Sequence, residues 1–428
     1  MDEPVPENSG KDAGDILDIA IHAGTLILQN GGETYRAEDT MNSMASSLGA
    51  VSSSSFVTPT VVMCSCADSS GNNHTKIQRI SERTINLGKI ARINALSRRL
   101  IKRDKVSDLK QVSSLLRRID SCPPHHPVSV ILATAVSGFF FSLMFKGTLT
   151  EACTAFCIGF IMRTVLFLIL RFTLGSFVTA IIGSAVISLL SGFAAFAGII
   201  PGAGNVSIAV LMSLVPGLAI VNAIRDAIAG DLVAGSARLF EAFLVAAALS
   251  LGAAVGILIF PTDTSYTTVL LTVKNPPAAF FLSFFATSAF AFFFNINKYD
   301  IIWASLFGAM GWCTYLLVDH IFVSSVAGYI SGAFCVGFFA EICAVFFRKP
   351  ATVYIVPGII PLVPGGAMYE TLFFAVLGNP DAAASAGFQA ISTAASIAVG
   401  IALASSFARL TGKLRMRKSD RKISGKNG

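Results

Sequence analysis

The 428-residue chain is 54% hydrophobic and only 13% charged, with 34 Phe, 36 Gly and a formal charge of +7. A soluble domain carries about 25% charged residues, which excludes a chain that faces water along its whole length. Charge is concentrated in residues 1–125, while 128–407 is nearly devoid of it, so a soluble segment precedes a membrane region.

Residues 1–14 read as a disordered tail. They are acidic and polar, with neither the basic start nor the apolar core of a cleavable signal peptide. Over 15–28 the apolar residues Ile16, Ile19, Ala20, Ala23 and Ile27 follow helical spacing, and Gly31-Gly32 ends that helix. A second helix is predicted over 33–48, with Tyr35, Met41, Met44 and Leu48 on one side. The Val-, Thr- and Ser-rich stretch 51–66 predicts two strands broken near Thr58-Pro59; a third follows over 75–80, after a turn at 68–73. Helices over 86–103 and 107–121 lead to the linker Cys122-Pro123-Pro124-His125-His126-Pro127. The segment 15–125 is therefore expected to be a small cytoplasmic α+β domain.

The eight cysteines show no pairing logic. Cys64 and Cys66 lie two apart on a predicted strand, and Cys153 and Cys157 one turn apart on a predicted helix. A metal site would need a second Cys or His cluster. They read as small buried residues of a reducing compartment, and no metal or other cofactor is expected.

Length and breakers divide the remainder into ten predicted spans. The first five are 128–145, 149–170, 175–197, 206–224 and 237–260; the second five are 278–295, 300–318, 324–347, 353–377 and 383–407. They group as 128–260 and 276–407, with a basic tail at 408–428. With the soluble segment inside, the inner short loops carry Arg171, Arg225, Arg238, Lys298, Arg348 and Lys349, and the outer loops only Lys146 and Lys274. The tail, with Arg409, Lys413, Arg415, Arg417, Lys418, Arg421 and Lys422, also falls inside. Both termini are thus expected to be cytoplasmic in an inner (plasma) membrane. The basic cluster from Arg98 to Arg118 suits an anionic inner leaflet. The positive charge is accounted for without a nucleic-acid partner.

The membrane region is written twice. Leu214-Val215-Pro216-Gly217 returns as Leu362-Val363-Pro364-Gly365, an offset of 148 residues (362 − 214). At that offset Ala219 falls on Ala367, Gly230 on Gly378, Phe240 on Phe388 and Gly252 on Gly400. Two copies with an odd number of spans lie inverted in a membrane, the arrangement from which alternating access arises. The expected fold is a polytopic α-helical membrane protein of about ten spans in two inverted five-helix repeats, behind the α+β domain.

Proline inside a span removes a hydrogen bond, and the freed carbonyls must face protein, water or ligand. Both copies place Pro-Gly in mid-span, at Pro216-Gly217 and at Pro364-Gly365-Gly366, and Pro357-Gly358 and Pro361 break the ninth span further. Half-helices restarting there point N–H groups at a common centre that suits anionic groups. A kink made only for packing is the competing reading for one such motif; duplication at matched places favours a site. Just past the breaks Asn222 corresponds to Glu370, and in the next span Glu241 corresponds to Gln389. Each copy so supplies one acid and one amide. A carboxylate within a span is costly, which makes Glu370 first and Glu241 second the candidate proton carriers. Glu241 is equally read as an interfacial ion-pair partner of Arg238. Arg163 either binds a substrate carboxylate bidentately or pairs with Glu341 to hold the bundle. Glu151, Asp300 and Asp319 lie near span ends and are expected to be solvated.

The densest polar run of the soluble segment is Gly31-Gly32-Glu33-Thr34-Tyr35-Arg36-Ala37-Glu38-Asp39. It contains no nucleophile elbow, P-loop or dinucleotide fingerprint, and on its own terms reads as a helix start with an intrahelical Glu–Arg contact. Together with Gly24 and Thr40, the run resembles the signature of the threonine/serine exporter family. Val356-Pro357-Gly358 and Leu362-Val363-Pro364-Gly365-Gly366-Ala367 resemble that family's smaller module. The resemblance covers about 15–407, with both modules fused in one chain. It implies a proton-driven exporter of threonine and serine; the separate-module relatives are associated with succinate export, which makes a C4-dicarboxylate exporter the alternative. A membrane-anchored sensor or hydrolase acting through the soluble segment is the alternative of another class, but an anchor needs one or two spans and no duplicated breaks. The expected partners are the small-molecule substrate, protons and lipid, with a homo-oligomer left open.

Overall fold

The computed structural model describes residues 13–68, 71–81, 83–102, 108–169, 175–260, 273 and 275–424. They fall into two compact units, one of Met1–Pro124 with Asp231–Ala234 and Arg348–Pro350, the other of His125–Gly230, Gly235–Phe347 and Ala351–Gly428.

The first unit begins with helices α1 (Ala13–Gln29) and α2 (Thr34–Leu48) and continues with strands β1 (Ser52–Thr58), β2 (Val61–Ala67) and β3 (Asn73–Arg79). Helices α3 (Leu87–Ile101) and α4 (Leu109–Asp120) follow. The strands form an antiparallel meander in the order β1-β2-β3. Thr58 opposes Val61 across the Pro59-Thr60 turn, where the Val61 N–H donates to Thr58 Oγ1 at 3.2 Å. Central β2 alternates, burying Val62, Cys64 and Cys66 against α1 and α2. Gly31 turns the chain between the helices at φ +88°, a left-handed conformation that favours glycine. The Asn86 and Asp108 side chains cap α3 and α4 by accepting from the N–H groups of Lys89 and Lys110. Ala13 and Gly14, expected in the tail, are already helical, because Ala13 buries its side chain. Residues 1–12 lie outside the described residues.

The second unit is helical. It runs α5 (Pro127–Met144), α6 (Leu149–Ile169), α7 (Ser176–Phe196), α8 (Ala203–Leu211), α9 (Gly217–Ile228) and α10 (Leu232–Ile259). It then runs α11 (Pro276–Phe293), α12 (Lys298–Phe322), α13 (Ser325–Phe347), α14 (Thr352–Gly358), α15 (Gly365–Val376) and α16 (Pro380–Ser424). A short 3-10 turn, Ile360–Leu362, joins α14 to α15. The same order of elements thus occurs twice. Helices α5 and α11 have 18 residues each, and α9 and α15 have 12 each.

Eight of the described helices are long and apolar enough to cross a membrane: α5, α6, α7, α10, α11, α12, α13 and Pro380–Ala408 of α16. A ninth span results if the pair around the Val363-Pro364 break, bent by 57°, is one crossing. The chain is therefore a multi-pass membrane protein. The expected count of ten falls short at the fourth span, predicted over 206–224. There α8 ends at Leu211 and α9 begins only after Pro216, leaving two short helices where one crossing was expected. The tail expected from 408 continues α16 to Ser424. Arg171, Lys274 and the side chains of Arg409, Lys413, Arg415, Arg417, Lys418, Arg421 and Lys422, used above for orientation, lie outside the described residues.

Candidate functional site

The two breaks are built alike. Pro216 and Pro364 are the residues before the first turns of α9 and α15, at φ/ψ −79°/38° and −78°/49°. Proline suits such a place because its missing N–H is one that the first turn leaves without an intrahelical acceptor. The expectation that each half-helix restarts at its Pro-Gly is met in both copies.

The breaks also touch. A Cβ on Gly217 would stand 1.9 Å from Val363 Cγ1, and one on Gly365 would stand 3.3 Å from Val215 Cγ1 and 2.7 Å from Met212 Sδ. Val363 corresponds to Val215 and Gly365 to Gly217 at the 148-residue offset. Each break therefore lays its glycine against the valine of the other, and at Gly217 the approach leaves no room for a Cβ. Tyr369 of α15 is continuous with the apolar core made by α6, α7, α8 and α10, and its carbonyl accepts from Ser250 Oγ of α10 at 3.5 Å. Helix α9 in turn packs against α16.

Five residues beyond these glycines stand Asn222 and Glu370, at the same position of two 12-residue helices. Both are half-buried. Glu370 Oε1 is buried and has no hydrogen-bond partner among the described residues. Pro364, Gly365 and Gly366 are buried, Glu241 is half-buried and Gln389 is exposed. Gln389 thus sits on the outer face of α16, apart from the buried break.

The remaining charges depart from expectation. Arg163 and Glu341 do not form an ion pair: the Arg163 guanidinium lies 4.9 Å from the Phe293 ring centroid, and Glu341 Oε1 accepts from Ser405 Oγ at 3.0 Å. Glu151 and Asp300, expected to be solvated, are 9% and 3% exposed. Glu151 closes a capping box on α6, accepting from the Thr148 N–H at 2.7 Å while its own N–H donates to Thr148 Oγ1 at 3.3 Å. Asp300 accepts from the Tyr354 hydroxyl at 2.9 Å, a partner 54 residues away. Asp319, half-buried, accepts from Ser325 Oγ at 2.9 Å.

One charged residue escaped the sequence reading. Asp226, 1% exposed, lies one turn beyond Asn222 and meets Arg238 Nε at 3.2 Å. Arg238, expected in an inner loop, lies on α10 and is 9% exposed. The available signal was the four-residue spacing of Asn222 and Asp226, which puts both on one face of α9.

In the first unit the polar run is a scaffold. Glu33, 3% exposed, precedes α2 and receives Arg36 Nε at 2.9 Å. Burial opposes the Arg36 charge, but the adjacent Glu33 carboxylate more than compensates and holds its pKa above the ordinary value. Glu38 accepts from the Val57 N–H of edge strand β1 at 3.0 Å. Burial nevertheless holds the Glu38 carboxyl above its ordinary 4.5, against the lowering effect of that N–H. Thr34 is 1% exposed, its hydroxyl without a partner among the described residues. No group of three or more His, Cys, Asp or Glu side chains among the described residues is placed to hold a metal ion.

A family model for threonine/serine exporters, ThrE, matches residues 18–260, and a second for threonine/serine exporters, ThrE_2, matches 279–407. A threonine/serine exporter of Corynebacterium glutamicum is 28% identical over 208 residues, covering 46% of this chain and 42% of that protein. The chain so spans under half of this relative. A probable threonine/serine exporter of Mycobacterium tuberculosis is 24% identical over 412 residues, covering 91% of this chain and 75% of that protein. No solved structure matches the chain.

Proposed function

The chain belongs to the threonine/serine exporter family in its fused, two-module form, and from that premise we propose that it exports threonine and serine by proton-coupled alternating access. The observation that carries this reading is the reciprocal contact of the two breaks, Gly217 on Val363 and Gly365 on Val215. Reciprocity of that kind is what an approximate two-fold axis generates, and a site on such an axis is exposed alternately when one half rocks against the other. In this reading 128–260 and 276–407 are inverted halves in the inner membrane. The segment 15–125 and both termini are cytoplasmic.

Substrate binds beside the breaks, where the first turns of α9 and α15 offer N–H groups to its carboxylate. Asn222 orients it. Glu370, whose buried oxygen lacks a partner, takes the substrate ammonium or a proton, and Glu241 completes the acid pair of the two halves. A carboxylate able to hold either cation, but not both together, couples the two fluxes. The family and the relatives are named for amino acids, and the dicarboxylate alternative gains no support from them. A membrane-anchored sensor or hydrolase fares no better, since the family is one of transporters.

Counterflow in proteoliposomes tests the proposal. Vesicles loaded with unlabelled serine or threonine are expected to accumulate the labelled amino acid. Accumulation of succinate alone overturns the assignment and makes Arg163 the leading substrate contact. Glu370→Gln is expected to abolish proton-driven flux while retaining exchange; unchanged pH-dependent flux in that variant removes Glu370 from the mechanism.

A further inference from the structure

The first unit holds an open cavity of about 700 Å³ between α1, β3 and α4, within the range of small-molecule sites, roughly 300–1,000 Å³. Its walls are patterned. Helix α1 is almost wholly buried except along Asp15, Asp18, His22 and Gln29, which with Thr25 recur every three or four residues and so form one stripe. All five line the cavity. Helix α4 supplies a matching stripe of Lys110, Ser113, Arg117 and Asp120, and β3 contributes Lys76 and Gln78 from one face of the strand. A solvated surface of a small domain does not require two polar stripes on two helices to converge on one concavity.

Several of these groups satisfy one another. Lys76 pairs with Asp18, and Asp120 meets Lys89 at 3.5 Å and His22 at 3.8 Å. What is left over is specific: one acid, Asp15, and two bases, Lys110 and Arg117, have no ion-pair partner among the described residues. Thr25, 9% exposed, has a hydroxyl without a hydrogen-bond partner among the described residues. Ile19, Ile21 and Leu26 supply an apolar floor.

We propose that this cavity is a binding site for a zwitterionic α-amino acid, with the carboxylate on Arg117 and Lys110 and the ammonium on Asp15. The Arg117 guanidinium can take a carboxylate in bidentate fashion, and Lys110, two turns earlier on α4, adds a second positive charge to the same wall. A single acid alongside them suits one positive charge, and the lining acids disfavour a polyanion such as a nucleotide. The proposal does not depend on the transport reading, because the cavity lies wholly in the first unit.

The test is hydrogen–deuterium exchange on the full chain in nanodiscs, with L-threonine, L-serine or succinate added. Amides of Ala13–Gln29 and Leu109–Asp120 are expected to slow with either amino acid, by about elevenfold at ten times the dissociation constant if opening requires release. Succinate is expected to do nothing there. Asp15→Asn and Arg117→Ala, both at exposed positions, are each expected to remove the protection while exchange in β2 stays as in the parent chain. Lys110→Ala serves as a second variant should either disturb β2. The proposal is overturned if neither amino acid protects these helices, if succinate protects them equally, or if protection survives the variants. Counterflow with a silent cavity refutes this site alone; a responsive cavity without counterflow refutes the transport reading alone.

Discussion

Gly217→Ala is the sharpest probe of the contact between the two breaks. The added methyl would lie 1.9 Å from Val363 Cγ1, whereas carbon atoms rest about 3.5–4.0 Å apart, so the surfaces must part by roughly 1.6–2.1 Å. Val363 cannot swing aside cheaply, because it is β-branched and sits in extended backbone at φ/ψ −62°/131°. Overpacking of this kind costs about 1–3 kcal/mol, and Gly217, as the first residue of α9, does not collect the gain that alanine brings to a helix interior. A penalty of 1–3 kcal/mol borne by one conformational state shifts a two-state equilibrium about 5- to 150-fold. Initial rates of serine counterflow, normalised to protein inserted, are therefore expected to fall about fivefold or more. Adding Val363→Ala removes the offending methyl and is expected to restore most of the rate. The reciprocal Gly365→Ala should be milder, since its nearest obstacle is the flexible Met212 at 2.7 Å. Wild-type rates in Gly217→Ala refute the reasoning. So does a Gly217→Ala/Val363→Ala cycle that is additive within about 0.5 kcal/mol.

Three further perturbations address the scaffold. Arg36→Ala leaves the Glu33 carboxylate buried without its cation and is expected to destabilise the first unit by about 3–5 kcal/mol, read as faster amide exchange in α1 and α2. Asp226→Ala removes one half of the pair with Arg238; a loss of about 3–5 kcal/mol should appear as a lower midpoint of thermal unfolding in detergent, with Asp226→Asn less affected. Glu38 binds its proton more tightly folded than unfolded, so its contribution to stability declines as pH rises from 4.5 through the raised folded pKa. Glu38→Gln is expected to flatten that part of the pH–stability curve, while Glu38→Ala exposes the lost Val57 N–H bond as faster exchange at Val57; an unchanged curve in Glu38→Gln overturns the assignment.

The first unit was legible almost to the residue because its signals are local. Alternation across Val62, Cys64 and Cys66, the Thr58-Pro59 break and Gly31 each act within a few positions, and α3 and α4 begin directly after the capping Asn86 and Asp108. The long apolar helices were legible for the same reason. What failed was pairing across the sequence. Arg163 and Glu341 looked like partners because few charges remained to choose from, yet Phe293 and Ser405 took their places. Asp300 looked solvated because it stands at a helix start; only the fold brings Tyr354 to it. The α1 stripe was hidden by its own regularity, since a polar residue every third or fourth position reads as a water-facing side until a second helix is found opposite it.

Partnership, more than burial, distinguishes the charges of the helical unit. Glu151 is held by its own helix start, Asp226 by Arg238, Asp300 by Tyr354 and Glu341 by Ser405. Each is thereby accounted for as structure, because a buried polar group is costly only when unsatisfied. Glu370 is different: its buried oxygen has no partner among the described residues, and it stands five residues past a break whose glycine is pressed against the other half. An unsatisfied carboxylate in that place is a standing cost of about 1–3 kcal/mol or more, tolerable if a proton or a substrate cation relieves it in part of a cycle. Asn222, its counterpart, carries no charge to relieve. In the transport cycle we propose, that asymmetry assigns the binding and release of a cation to Glu370 and the positioning of what is carried to Asn222.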